Sequence, residues 1–161
     1  MARPGAGLSR PALLAAGLFL LAAVAGCGGD GPPDSDAALP SIYATPPLCA
    51  GAKRAFDANP QPGGEPVSLV CLDYLISDHS LASIGAGARR ATENSATIAY
   101  LGEPDRKSVD FARPILEAAG IGSVDSRDGE AAMKAVLAAV RESAGDDDLR
   151  GSVRAQLEAE G

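Results

Sequence analysis

The sequence contains a single histidine, His79, and this scarcity limits the chemistry that the chain can support. A zinc site needs several His, Cys or acidic side chains at ligand spacing, and one histidine among scattered acids does not provide it. The neighbours Ser77, Asp78 and Ser80 do not make a catalytic triad with His79, because a triad depends on spatial roles rather than on adjacency. We interpret His79 as a solvated loop residue and expect no metal site.

Basic residues are also in deficit. The chain has 14 Lys and Arg against 21 Asp and Glu, a formal net charge of −7. Phosphate binding needs clustered Lys and Arg, so we expect no nucleic-acid partner.

Neither a G-x-G-x-x-G fingerprint nor a P-loop is present, and nothing pairs Asp73, Glu103 and Asp105 as a general acid and base. We therefore expect neither a cofactor nor an enzyme.

Residues 1–26 have the features of an export signal. Arg3 and Arg10 supply positive charge, and residues 11–24 form an almost uninterrupted apolar run rich in Leu and Ala. That run is shorter than the about 20 residues that a membrane-spanning helix needs, and it suits the hydrophobic part of a secretory signal.

The apolar run ends in Val24-Ala25-Gly26-Cys27, which resembles the lipobox of bacterial lipoproteins. The resemblance implies cleavage before Cys27 and lipidation of its thiol, which would hold the exported protein on the outer face of the cell membrane. Each buried acyl CH₂ contributes about 0.8 kcal/mol, and two chains give stable anchoring. A plain signal peptide, or an uncleaved anchor with a coincidental cysteine, is the alternative. We favour the lipoprotein.

Residues 27–40 are interpreted as a flexible tether, because Gly, Pro, Asp and Ser dominate them and cannot build a core. The folded domain is expected over residues 41–161. Its core should be modest, since the chain is 46% hydrophobic but only 4% aromatic.

Strand-like and helix-like patterns alternate through the folded part. Apolar or β-prone runs occupy 42–45, 67–74, 97–102 and 121–124, and helical patterns occupy 49–59, 80–94, 105–120, 129–143 and 146–160. This alternation predicts an α/β three-layer sandwich, in which a four-stranded parallel sheet of order 2-1-3-4 has helices on both faces. Gly120 is expected to end the third helix, and Pro114 to kink it.

Ligands of such sheets bind at the carboxyl ends of the strands, where the strand order reverses. In the order 2-1-3-4, this point lies between the connections after strands one and three, predicted as loops at 46–49 and 103–107. The candidate cleft-lining residues there are Pro47, Leu48, Glu103, Asp105 and Ser108.

Two cysteines remain once Cys27 is assigned to lipid. Cys49 follows strand one, and Cys71 lies in strand two, its expected neighbour. Export permits a disulfide, which would contribute about 3 kcal/mol. Two buried free cysteines acting as small hydrophobes also fit, because the register could hold the Cα atoms more than about 7 Å apart.

The stretch from Ala88 to Ile121 resembles the N-terminal lobe of the type 1 periplasmic binding proteins, specifically the leucine-binding-protein-like group. The matching pieces are Ala88-Arg89-Arg90-Ala91, the strand at 97–102 and the segment at 114–121, while 41–48 takes the place of the first strand. The resemblance covers about residues 41–121. It implies a substrate-binding component of an ABC transporter, and many such components are lipid-anchored.

Residues 129–160 are similar to a late segment of the same family, one that packs back on the first lobe. The family carries a whole second lobe between the two matches, whereas here only residues 122–128 stand between them. Family members also offer Ser or Gly in the two cleft loops, where this chain has Pro46–Cys49 and Glu103–Lys107. One lobe presents half a cleft, although a pocket normally buries about 70–90% of a small ligand.

Two hypotheses about function follow. The first is a lipid-anchored solute-binding protein related to branched-chain amino-acid importers, in which an ABC permease or another chain completes the cleft around a small solute such as an amino acid. The alternative is a one-lobe protein-interaction or sensory module, or a degenerate remnant that binds no ligand.

Overall fold

The computed structural model describes residues 38–73, 80–102 and 105–160. The expected signal peptide, the lipidation site Cys27 and most of the tether lie outside these residues, as do His79 and Glu103. The described residues belong to one compact unit.

Strands and helices alternate along the chain up to a final pair of helices. The elements are β1 (Ser41–Ala44), α1 (Pro46–Ala58), a 3₁₀ turn (Pro62–Gly64), β2 (Ser68–Cys71), α2 (Leu81–Glu93), β3 (Thr97–Leu101), α3 (Arg106–Ala118), β4 (Gly122–Val124), α4 (Gly129–Glu142) and α5 (Leu149–Glu160).

The four strands form one parallel sheet in the order β2-β1-β3-β4, which confirms the predicted fold class and strand order. Every residue of the central strands β1 and β3 is buried. Strands of this kind are apolar on both alternating sets because helices cover both faces of the sheet. β2 and β4 are the edges, and their residues are less completely buried.

Each face of the sheet packs against its own layer of helices. Ile42 and Leu101 point to the layer formed by α1, α4 and α5. Tyr43, the residue after Ile42, and Tyr100, the residue before Leu101, point to the layer formed by α2 and α3. The alternation of side chains along a strand thus builds two cores from the same two strands.

α1 and α4 approach one another closely at two glycines. A Cβ atom on Gly51 would lie 2.8 Å from the amide nitrogen of Glu130, and one on Gly129 would overlap the carbonyl oxygen of Leu48. The missing side chains therefore let the two backbones meet.

The end of α3 follows its prediction closely. Gly120 has φ +70°, and the amide of Ile121 donates to the Leu116 carbonyl at 3.0 Å, as in a Schellman motif. The helix runs through Pro114 to Ala118 without ending. This geometry turns the chain directly from α3 into β4.

β2 is shorter than the predicted strand at 67–74. It spans Ser68–Cys71 because its partner β1 has only four residues, and the pairing ends where Ala44 faces Cys71.

Candidate functional site

The carboxyl-terminal edge of the sheet is the predicted ligand side, and three connections meet there. Thr45 follows β1, Gly102 follows β3 and Asp125 follows β4. The Thr45 hydroxyl donates to the Gly102 carbonyl at 3.1 Å, and Thr45 is 0% exposed. This hydroxyl ties the two central connections together and is not displayed to a ligand.

The first turn of α1 offers no amide donor to an anion. Pro46 and Pro47 have no N–H group, and the amides of Leu48 and Cys49 both donate to the Thr45 carbonyl at 3.0 Å. The prediction of a loop at 46–49 was wrong, because proline is well suited to the first position of a helix and α1 begins there. Leu48 is also corrected: it is 1% exposed and packs in the core, whereas Pro47 is exposed.

The start of α3 brings together two of the predicted cleft residues, Asp105 and Ser108. The Asp105 carboxylate accepts from the Ser108 amide at 3.1 Å and from the Ser108 hydroxyl at 2.5 Å. Ser108 is buried, and Asp105 acts as the N-cap of the helix. The amide and the hydroxyl of Ser108 are therefore bound to the chain's own carboxylate.

Asp128 caps the start of α4 in the same way, a role that was not predicted from the sequence. Its Oδ1 accepts from the amides of Glu130 and Ala131 at 2.9 and 3.2 Å. The signal was available, since Asp directly before a helical pattern is a common N-cap.

Acidic and basic side chains share this edge of the sheet. Asp105, Asp110 and Asp125 line a hollow together with Arg106, Arg113 and Arg127, and Arg113 Nη2 lies 2.6 Å from Asp125 Oδ2. The hydrogen bond and the charge of Asp125 raise the pKa of Arg113 above its ordinary value. Both side chains are partly exposed, so this pair contributes little to stability.

A disulfide joins Cys49 in the first turn of α1 to Cys71 at the end of β2, with the Cα atoms 5.6 Å apart. It lies at the same edge of the sheet as the candidate site. The bridge fixes the start of α1 to the edge strand and restricts movement of that helix.

The acidic residues considered for catalysis have other contacts. Asp73 forms a surface ion pair with Arg90 at 2.9 Å, and Asp105 caps α3. Across residues 38–73, 80–102 and 105–160, no cluster of three or more His, Cys, Asp or Glu could hold a metal ion. In the same part of the chain, no helix combines the length and hydropathy required to span a bilayer.

Comparisons with known proteins found no matching family model, no matching curated protein and no matching solved structure. The resemblance to one lobe of the type 1 periplasmic binding proteins therefore stays a prediction from the sequence.

Proposed function

We propose that this chain is an exported, lipid-anchored single lobe of solute-binding-protein type that acts by docking to another protein and does not hold a free amino acid by itself. The observation that carries the proposal is the way the three helices at the candidate site begin. Pro46 and Pro47 begin α1, while Asp105 and Asp128 cap α3 and α4.

A free amino acid presents a carboxylate, and proteins bind such anions with free amides at helix N-termini or with hydroxyl donors. Here Pro46 and Pro47 lack amide donors, the amides of Ser108, Glu130 and Ala131 are bonded to capping carboxylates, and the hydroxyls of Thr45 and Ser108 both donate within the chain.

Membrane anchoring supports a protein partner. Lipidation at Cys27 and the tether over residues 27–40 would hold the lobe at the membrane surface, where a permease or another exported protein is at high effective concentration.

Isothermal titration of the full chain, purified in mild detergent, with leucine and the other amino acids tests the proposal. We expect no saturable heat up to about 1 mM ligand, a concentration that would reveal binding stronger than about −4 kcal/mol. A one-to-one isotherm with any of them would overturn the proposal.

The second candidate is a solute-binding component of an ABC importer whose cleft is completed by the permease or by another chain. The carboxyl-terminal ends of β1 and β3, where the strand order β2-β1-β3-β4 reverses, are the position at which ligands of such sheets bind, and this favours the second candidate. Membranes from cells that naturally produce the chain should then bind more radiolabelled leucine than membranes from a deletion strain. Equal leucine binding by the two membrane preparations would favour the docking module instead.

A further inference from the structure

The outer side of β4 is an open edge of the sheet with a groove along it. The groove has a volume of about 530 Å³ and lies between α3 on one bank and α4 and α5 on the other, with residues 121–125 as its floor. Sheet edges with unpaired backbone groups accept an additional strand.

Ser123 directs its backbone groups into this groove. The Val124 carbonyl accepts from the Gly102 amide at 2.9 Å, so Val124 faces β3. Successive residues of a strand direct their amide and carbonyl groups to opposite sides, so those of Ser123 point away from β3. The Ile121 amide is already used, since it donates to the Leu116 carbonyl. Ser123 is therefore the residue that can anchor an incoming strand with one donor and one acceptor.

The banks of the groove are acidic. Glu117 lines it from α3, Glu158 and Glu160 from α5, and Asp125 stands at its end. Arg113 pairs with Asp125 and Arg154 with Glu158, each at 2.6 Å. Among the described residues, no base lies at ion-pair distance from Glu117 or Glu160, although the charge of Glu117 also acts on Arg113 and Arg154. The four acids outnumber these two bases, so the groove keeps a net negative charge.

We propose that the β4 edge binds an extended, lysine- or arginine-bearing segment of a partner protein, which adds to the sheet as a fifth strand. The backbone bonds at Ser123 would supply affinity, and Glu117 and Glu160 would select basic side chains on either bank. This inference rests on the proposed docking function and names its surface and the chemistry of the partner.

Charge disfavours the other candidate occupants. A second copy paired by two-fold symmetry would bring Glu117 and Glu160 toward their own equivalents, and like charges facing one another across paired strands are destabilising. The chain's own tether, residues 28–40, carries three Asp and no Lys or Arg. A basic segment from another protein is the occupant that fits.

Fluorescence anisotropy with the full chain in mild detergent tests the inference. The probe is a fluorescein-labelled heptapeptide that alternates lysine with valine, and the comparison peptide has glutamate in place of lysine. We expect saturable binding of the lysine peptide and none of the glutamate peptide.

Ser123→Pro removes the outward N–H without touching the bonds to β3, because proline is tolerated where the amide faces away from the sheet. Its Kd for the lysine peptide should rise by about tenfold, whereas Ser123→Ala, which keeps the amide, should match the wild type. Glu117→Gln combined with Glu160→Gln should raise the Kd by about fivefold. The control Glu93→Gln, at the exposed end of α2, should leave it unchanged.

Equal binding of the two peptides, or wild-type affinity in a folded Ser123→Pro variant, would overturn the inference. If circular dichroism shows that Ser123→Pro does not fold, the paired glutamine variant decides. A concentration-dependent dimer that Ser123→Pro abolishes would assign the edge to a second copy instead. If the lysine peptide does not bind and leucine gives no heat of binding, only the β4 docking surface is refuted. A saturable heat of binding with free leucine would refute the proposed function.

Discussion

Replacing Cys49 and Cys71 together by alanine should destabilise the domain substantially. The bridge closes a loop with a sequence separation of 22 residues, and a loop of that size corresponds to about 3.4 kcal/mol of chain entropy at 25 °C. For a domain of about this size, that loss lowers the Tm by roughly 10–20 °C. The loss should be carried mainly by α1 and the edge strand β2, which the bridge connects.

Thermal unfolding followed by far-UV circular dichroism measures the effect on the full chain, with Cys27 retained in both proteins. Wild-type protein in a strong reductant is the matched control, because it loses the same bridge without a change of sequence. Its Tm should fall to that of the double variant. Quantitative alkylation of Cys49 and Cys71 in the wild-type protein without reductant, or a double variant as stable as the wild type, would refute the reasoning.

Two further predictions concern the packing and the charge of α4. Gly129→Ala should destabilise the fold by about 1–3 kcal/mol, because the new methyl group overlaps the Leu48 carbonyl, and urea unfolding measures this. A hydrogen bond from Lys134 and its charge lower the pKa of Glu130, so this group stabilises the fold above its unfolded pKa and the contribution is lost as the pH falls through the folded value. NMR titration should show the lowered pKa of Glu130 in the wild type and a higher pKa in Lys134→Gln, where Arg54, 3.6 Å from the Glu130 carboxylate, still lowers it.

Each of these predictions has a clear contrary result. Wild-type urea stability of Gly129→Ala would mean that α1 and α4 do not cross as closely as described. An unchanged Glu130 pKa in Lys134→Gln would mean that the ion pair is not the cause of the shift.

The strand order could be predicted because alternating apolar and helical patterns leave few topologies. The central strands are buried along their whole length and mostly apolar, as Ile98 to Leu101 of β3 show, and Gly120 marks the end of α3 by its left-handed backbone. The first residues of the helices were harder to predict from the sequence. Pro46-Pro47 can open a helix or end a strand, and only packing of Leu48 in the core decides between them.

The sequence predicted which connections meet at the carboxyl-terminal edge but not the contacts of their side chains. Asp105 and Ser108 do lie together at the carboxyl-terminal edge, yet their side chains bond to one another, which spacing alone does not reveal. The groove at β4 depends on how close α5 comes to the strand. A Cβ on Gly122 would lie 3.1 Å from the Cα of Arg154, and such a contact between distant residues has no local signature in the sequence.

The central proposal is that this domain binds a protein strand at β4 and does not bind an amino acid at the carboxyl-terminal edge. Amide chemical shifts of the full chain, recorded by NMR during separate titrations with the lysine peptide and with leucine, test it most directly. The account predicts that the peptide shifts the amides of Ser123 and Glu117, and that leucine shifts none near Asp105 or Asp128. Shifts at Asp105 and Ser108 with leucine, and none at Ser123 with the peptide, would contradict it.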